Sequence, residues 1–219
     1  GKWLTAAIAA GAGVALGASY SRSGVIAMIV AMMLVALVAA TPKIRRYIAM
    51  GGVMVVVVIA VLLVAFRHST VVSNVLLHDN PATVSKVDSN TQHADSLLSG
   101  VERMVRQPFG AGIGSAGSAS LIGDSPLIIE NQYLLVAHEV GWLGLVLFIW
   151  LFAEVMRRLW LRRNSALALG VFASGVGLAI IGLLLPVWTD DTVSIVWWGL
   201  AAVAVASEVK KVTHGKRTR

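Results

Sequence analysis

Six long apolar stretches govern what this chain can become. They run over roughly 3–20, 24–40, 48–66, 132–156, 165–187 and 192–208. Each is close to the ~20 residues with which a helix crosses about 30 Å of hydrocarbon. The first two are parted by SRSG (21–24), too little to announce a boundary by length. An arginine at a bilayer centre is costly, whereas at a membrane edge it reaches water, so Arg22 marks the end of one span and the start of the next. The prediction is an all-α, polytopic transmembrane helix bundle of about six spans. Composition agrees, with 57% hydrophobic and 13% charged residues and a mean hydropathy of +0.80, against about 25% charged in an ordinary globular domain. Cysteine is absent, which excludes disulfides, thiolate metal sites and a cysteine nucleophile.

A net charge of +7 raises the question of a nucleic-acid partner, and the placement of the charges answers it. If Lys2 is cytoplasmic, alternating spans put Lys43, Arg45 and Arg46, the four arginines at 157–163 and the five basic residues at 210–219 on the same side. That is 13 of the 18 basic residues, a strong positive-inside bias. The basic balance therefore reports topology and implies no nucleic acid. It predicts three transmembrane helices over 1–66, an extracytoplasmic loop over 67–131, three more helices over 132–208 and a basic cytoplasmic tail over 209–219. The chain opens on Gly1 and is expected to be a fragment of a longer membrane protein.

A 65-residue loop in a tight bundle exceeds the needs of a connector, and such loops usually carry function. Inside it, HADSLLSGVERMVRQ (93–107) has helical periodicity. Leu97, Leu98, Val101, Met104 and Val105 share one stripe, Ser99, Glu102, Arg103 and Arg106 lie opposite, and Pro108 ends the element. This fits an amphipathic helix lying on a surface. QPFGAGIGSAGS (107–118) follows, with Gly112, Gly114 and Gly117 spelling G-x-G-x-x-G. A dinucleotide fingerprint needs a strand before it and a βαβ unit around it, and a helix in an extracytoplasmic loop supplies neither. Two readings remain: a turn whose N–H groups cradle an anion, or one that must pack closely against helices.

Together these segments resemble the O-antigen ligase and polymerase family of membrane glycosyltransferases. SYSRSG (19–24) resembles the family's Ser-Arg-Gly signature between two spans. HADSLLSGVERMVRQPFGAGIGSAG (93–117) resembles its large outer loop, and ENQYLLVAHEVGWLGLVLF (130–148) the motif opening the next helix. The arrangement of spans around the loop is similar too. The resemblance covers most of the chain and the later part of a family member. It implies transfer of a glycan from a polyprenyl-pyrophosphate donor to a glycan or lipid acceptor at the outer face of the membrane, in cell-surface polysaccharide assembly. It further implies a metal-independent, inverting displacement at the anomeric carbon, with no cofactor.

Such chemistry asks for fixed cations or N–H donors aimed at the leaving pyrophosphate. Arg22 is the leading candidate, because a guanidinium grips two phosphate oxygens at once; otherwise it is an interface residue reaching water. Arg103 and Arg106 are either a second phosphate clamp or solvated helix charges, and Gly112 and Gly114 belong to the turn that would accompany them. Glu130, where many relatives carry His, is the candidate general base, or else a charge favoured by a helix N-terminus. Ser125 and Pro126 are read as the cap and first-turn residue of that helix. Asn131 and Tyr133 shape the sugar site or anchor the helix. His93 binds phosphate, replaces Glu130 as base, or is a surface residue. His138 and Glu139 fall inside the fourth span, and Glu139 is expected to be a buried structural hydrogen-bonder. A zinc site from His93, His138 and an acid matches no metal-motif spacing. The competing classes are a transporter or channel with an extracytoplasmic lid loop, and a non-catalytic scaffold; internal repeats, frequent in transporters, are not seen.

Overall fold

The computed structural model describes residues 1–19, 21–65, 89–122 and 126–206; the side chains of Arg22 and His93 are among those outside that description. Every regular element among the described residues is helical. α1 spans Lys2–Ala18, α2 Arg22–Ala39, α3 Pro42–Ala65, α4 Ser89–Arg106, α5 Gln132–Leu161, α6 Ala166–Gly182 and α7 Asp191–Ala206, with short 3-10 turns at Gly117–Ile122 and Val187–Thr189. Among the described residues α5 alone is long and apolar enough to cross a membrane, at a mean hydropathy of 2.0. Trp3–Ala18, Ser23–Ala39, Ala166–Gly182 and Asp191–Ala206 are shorter apolar helices.

The helix boundaries follow local chemistry. Ser21 caps α2, its hydroxyl accepting the Gly24 N–H at 3.2 Å, an N-cap pairing with the third helical residue. The third apolar stretch opens near residue 48, and α3 reaches six residues further back, to Pro42. Proline suits a first helical position, and the charges behind it find work inside the helix. The Arg45 guanidinium donates to Leu37 O at 2.8 Å and Ala40 O at 3.4 Å, satisfying carbonyls that the end of α2 leaves without an intrahelical donor. α7 is capped by Asp190, whose Oδ1 accepts the N–H groups of Thr192 and Val193.

The chain forms two compact units, one of Gly1–Val35 with Leu151–Arg219, the other of Ala36–Trp150. The first is organised around α6, whose small residues let neighbours approach closely. A Cβ on Gly175 would lie 2.7 Å from both Met156 Sδ and Trp197 Cζ2, and one on Gly177 3.2 Å from Ala27 O. Leu159, Ala168, Val171, Trp197, Ala201 and Ala204 make its core. The Trp197 indole donates to Val171 O at 3.1 Å, so its polar edge is paired as burial requires. At the end of α5, Glu154 accepts hydrogen bonds from both Arg157 and Arg158. Gly175→Val places two further carbons where Met156 and Trp197 already sit. It is expected to destabilise the unit by about 1–3 kcal/mol, read as a lowered melting temperature in detergent, while Gly170→Ala, inside the same helix with nothing within 4 Å, does not lower it, because alanine is the better helix former.

The second unit holds α3, α4, the glycine-rich turn and the first part of α5. Ala116, Ile129 and Leu135 are its small core, flanked by Leu127 and Leu134. Gly100 of α4 sits against Leu134, 2.9 Å from where its Cβ would be.

Candidate functional site

α5 is not continuous. At Gly141 the backbone takes φ 74° and ψ −175°, a region open essentially to glycine alone. In an unbroken helix the Trp142 N–H would bond His138 O, and the next N–H Glu139 O. Here the glycine-rich turn supplies the partners instead. Ala111 N–H donates to His138 O at 2.6 Å, Gly112 N–H to Glu139 O at 3.1 Å, and Trp142 N–H to Pro108 O at 3.0 Å. The turn is thus spliced into the helix, the His138 and Glu139 carbonyls and the Trp142 N–H finding their partners in the loop.

Two side chains lock the splice. The Glu139 carboxylate accepts the Gly114 N–H at 2.9 Å, a charge-assisted bond of the structural kind expected for this residue. The Trp142 indole donates to Met104 O at 2.7 Å, occupying a carbonyl at the C-terminal end of α4. Close approach explains Gly110 and Gly141. A Cβ on Gly110 would stand 2.7 Å from Glu139 O and from Gly141 N, and one on Gly141 2.5 Å from Pro108 O. The N–H groups of Gly112 and Gly114 are therefore engaged by α5. Close packing thus holds at Gly110 and Gly141, whereas Gly112 and Gly114 spend their N–H groups on Glu139 and a Cβ at Gly112 would meet nothing within 4 Å.

Upstream of α5 the chain is held just as closely. Gly117 N–H donates to Leu127 O at 2.8 Å, and the Ser120 hydroxyl accepts the Leu127 N–H at 3.0 Å. Ile129, 2% exposed, enters the core. Asn131 is the cap of α5, its Oδ1 accepting the N–H groups of Tyr133 and Leu134 at 3.0 Å each. This corrects the cap expected at Ser125 and Pro126: the helix begins at Gln132, six residues past Pro126, and Ser125 lies outside the described residues. A buried Asn wins the role because its side-chain oxygen reaches both orphan N–H groups of the first turn. Glu130 is partly buried and stands between the buried Ile129 and this cap, so its backbone is fixed from both sides.

On α4, Ser99, Glu102, Arg103, Arg106 and Gln107 line a cleft of about 270 Å³. Arg106 is engaged by Glu102 one turn earlier, at 2.6 Å, an exposed pair that adds little stability. Arg103 lines the same cleft. Among the described residues, two buried polar atoms of this unit, Gln107 Oε1 and His138 Nδ1, have no hydrogen-bond partner.

The Ala36–Trp150 unit thus gathers Arg103, Arg106, Gly112, Gly114, Glu130, Asn131 and Tyr133, together with the backbone of His93 in the second turn of α4. Arg22, the first residue of α2, belongs to the other unit. The serines around it serve the backbone: besides the Ser21 cap, the Ser19 hydroxyl donates to Leu16 O at 2.7 Å. Sequence reasoning missed the helix break, although a glycine deep in an apolar helical run was its visible mark.

The sequence model describing O-antigen ligases matches residues 6–149, more than half of the chain, and takes in α1 through α4, the glycine-rich turn and the break in α5. No curated protein and no solved structure matches the chain. With that match across the spliced loop and the helix it enters, the chain belongs to the O-antigen ligase family of membrane glycosyltransferases.

Proposed function

We propose that the protein transfers or polymerises a glycan carried on polyprenyl pyrophosphate, at the outer face of the cytoplasmic membrane, in cell-surface polysaccharide assembly. The arrangement that goes with this reading is six spans with segment 67–131 outside, supported by the bias of Lys and Arg toward one side. The observation that carries it is the head of α5. Glu130 is held between a buried Ile129 and the Asn131 cap, inside a stretch matched to the family, as a general base must be held to meet its proton.

In the proposed reaction an acceptor hydroxyl oxygen attacks the anomeric carbon as the bond to the pyrophosphate oxygen breaks. The bonding pair leaves with the diphosphate, the configuration inverts, and Glu130 takes the hydroxyl proton. Arg22 offsets the charge that grows on the leaving group, as fixed cations do in a water-poor site. Arg103, with Arg106 beside it, is the second phosphate contact; His93 is a further phosphate ligand or an alternative base. Gly112 and Gly114 shape the turn that follows α4, and Asn131 and Tyr133 flank the sugar. No metal enters this scheme.

The test is glycan transfer in membranes from a polyprenyl-pyrophosphate oligosaccharide, comparing the full-length protein with Arg22→Ala at matched expression and insertion. The expected result is transfer by the unmodified protein and a loss of about 100-fold or more without the arginine, the scale of removing one charge-stabilising donor. Product size separates a polymerase from a ligase. Undiminished transfer by Arg22→Ala removes that residue from the mechanism, and flux of the donor without transfer would favour a transporter.

A further inference from the structure

α4 is amphipathic, yet its apolar stripe is divided in use. Gly100 meets Leu134 of α5, and the Met104 carbonyl takes the Trp142 indole N–H. Leu98, Val101 and Val105, one step further round the helix, are 71%, 45% and 60% exposed. The turn that follows adds Phe109 at 94% and Ile113 at 88%. Exposed apolar residues grouped in this way mark a contact surface.

Continuity within the same unit says what the contact is. Trp142, Leu143, Val146 and Trp150 form an exposed apolar stripe along α5, the face that a helix of a membrane protein turns to lipid. The stripe starts at the splice. Trp142 is bonded to Met104 O through its indole and to Pro108 O through its backbone, so α4 and Phe109 are fixed at the level where the stripe begins. A half-exposed Trp at that level suits the boundary between hydrocarbon and headgroups. On its other side α4 carries Ser99, Glu102, Arg103 and Arg106 around their cleft, the polar face that an interfacial helix keeps toward water and headgroups.

We propose that the Leu98, Val101 and Val105 face of α4, with Phe109 and Ile113, is immersed in the edge of the bilayer as a lipid-contacting platform continuous with the lipid-facing stripe of α5. The partner is bilayer hydrocarbon. The platform rests on the membrane character of the family and not on the catalytic reading. It holds the arginine cleft on the opposite side of α4 at the depth of lipid phosphates.

The chain has no cysteine, so single labels are clean. Leu98→Cys, Val105→Cys and Phe109→Cys would be spin-labelled in the full chain, beside Ser99→Cys and Glu102→Cys on the polar face and Val146→Cys on α5. Each is reconstituted in vesicles of phosphatidylethanolamine and phosphatidylglycerol, and collisions with oxygen and with a water-soluble nickel chelate are measured. Labels at 98, 105 and 109 are expected to follow the label at 146, relaxed by oxygen and shielded from nickel, with 99 and 102 showing the reverse. Nickel access at 98, 105 and 109 equal to that at 99 and 102 would overturn the platform. Shielding of these three from both reagents would overturn it too, in favour of a protein cover. Transfer activity plays no part in the readout, so its failure and that of the platform are distinguishable.

Discussion

Gly141→Ala is expected to release the glycine-rich turn from α5 and to abolish glycan transfer. Two effects act together. The residue sits at φ 74°, where an alanine is strained by about 1–3 kcal/mol. Its new carbon also falls 2.5 Å from Pro108 O and 2.6 Å from the carbonyl carbon of Phe109, backbone atoms that cannot rotate aside. If α5 closes into a regular helix instead, the N–H groups of Ala111 and Gly112 lose their acceptors, and each buried group left unpaired costs about 1–3 kcal/mol. Gly110→Ala should do the same from the other strand of the splice, since its carbon would meet Glu139 O and Gly141 N at 2.7 Å. Because both substitutions break one element, the double variant should be no worse than either alone.

The controls are chosen to separate strain from the splice. Gly112 and Gly117 also have positive φ, 102° and 68°, but nothing lies within 4 Å of their would-be Cβ atoms. Gly112→Ala and Gly117→Ala carry backbone strain without the clash, so they should leave the splice in place and keep the slow exchange of the Ala111 amide. Hydrogen exchange of that amide and protease sensitivity across 107–117 are the measurements. If Gly112→Ala exposes the turn as fully as Gly141→Ala does, backbone strain and not close packing explains these glycines, and the splice loses its meaning.

The contrast also shows which parts of the molecule are legible in its sequence. α4 is readable because its periodicity is local: a stripe at spacings of three and four needs no knowledge of what lies elsewhere. The splice is not readable, because it pairs residues 108–114 with 138–142 through backbone atoms, which every residue type possesses. Its trace in the sequence is the pair of glycines at 110 and 141, and one glycine in an apolar run has many causes. Helix starts are less legible. Lys43, Arg45 and Arg46 count as charges on the cytoplasmic side, and the structure sets them inside α3 with Arg45 bonding the end of α2. Ser125 and Pro126 look like a cap until Asn131 is seen holding two N–H groups. In SYSRSG the resemblance draws the eye to Arg22, while Ser19 and Ser21 bond to backbone. Short polar side chains near helix ends satisfy the local backbone first.

For Glu130 the expected result is a fall in kcat of about 100- to 10,000-fold in Glu130→Gln, the contribution of a positioned base, with KM for the lipid-linked donor unchanged. Glutamine keeps the volume, and the fold around it should persist, because Ile129 and Asn131 are held by their own contacts. An unchanged melting temperature in detergent would confirm that loss of activity is not loss of structure. A rise in KM with kcat intact would instead make Glu130 a binding group. Glu130→His is the sharper variant, since the resemblance places His at this position in many relatives. A base works only when deprotonated, and imidazole takes up its proton in a higher pH range than a carboxylate does. Glu130→His should therefore retain transfer at neutral pH, but lose it on acidification at a higher pH than the unmodified protein. Arg22→Ala, measured in parallel, should lower the rate without moving that acid limb, because arginine stays charged across the whole range. An acid limb identical in the glutamate and histidine forms would mean that the proton goes elsewhere, and His93 would be the next residue to replace.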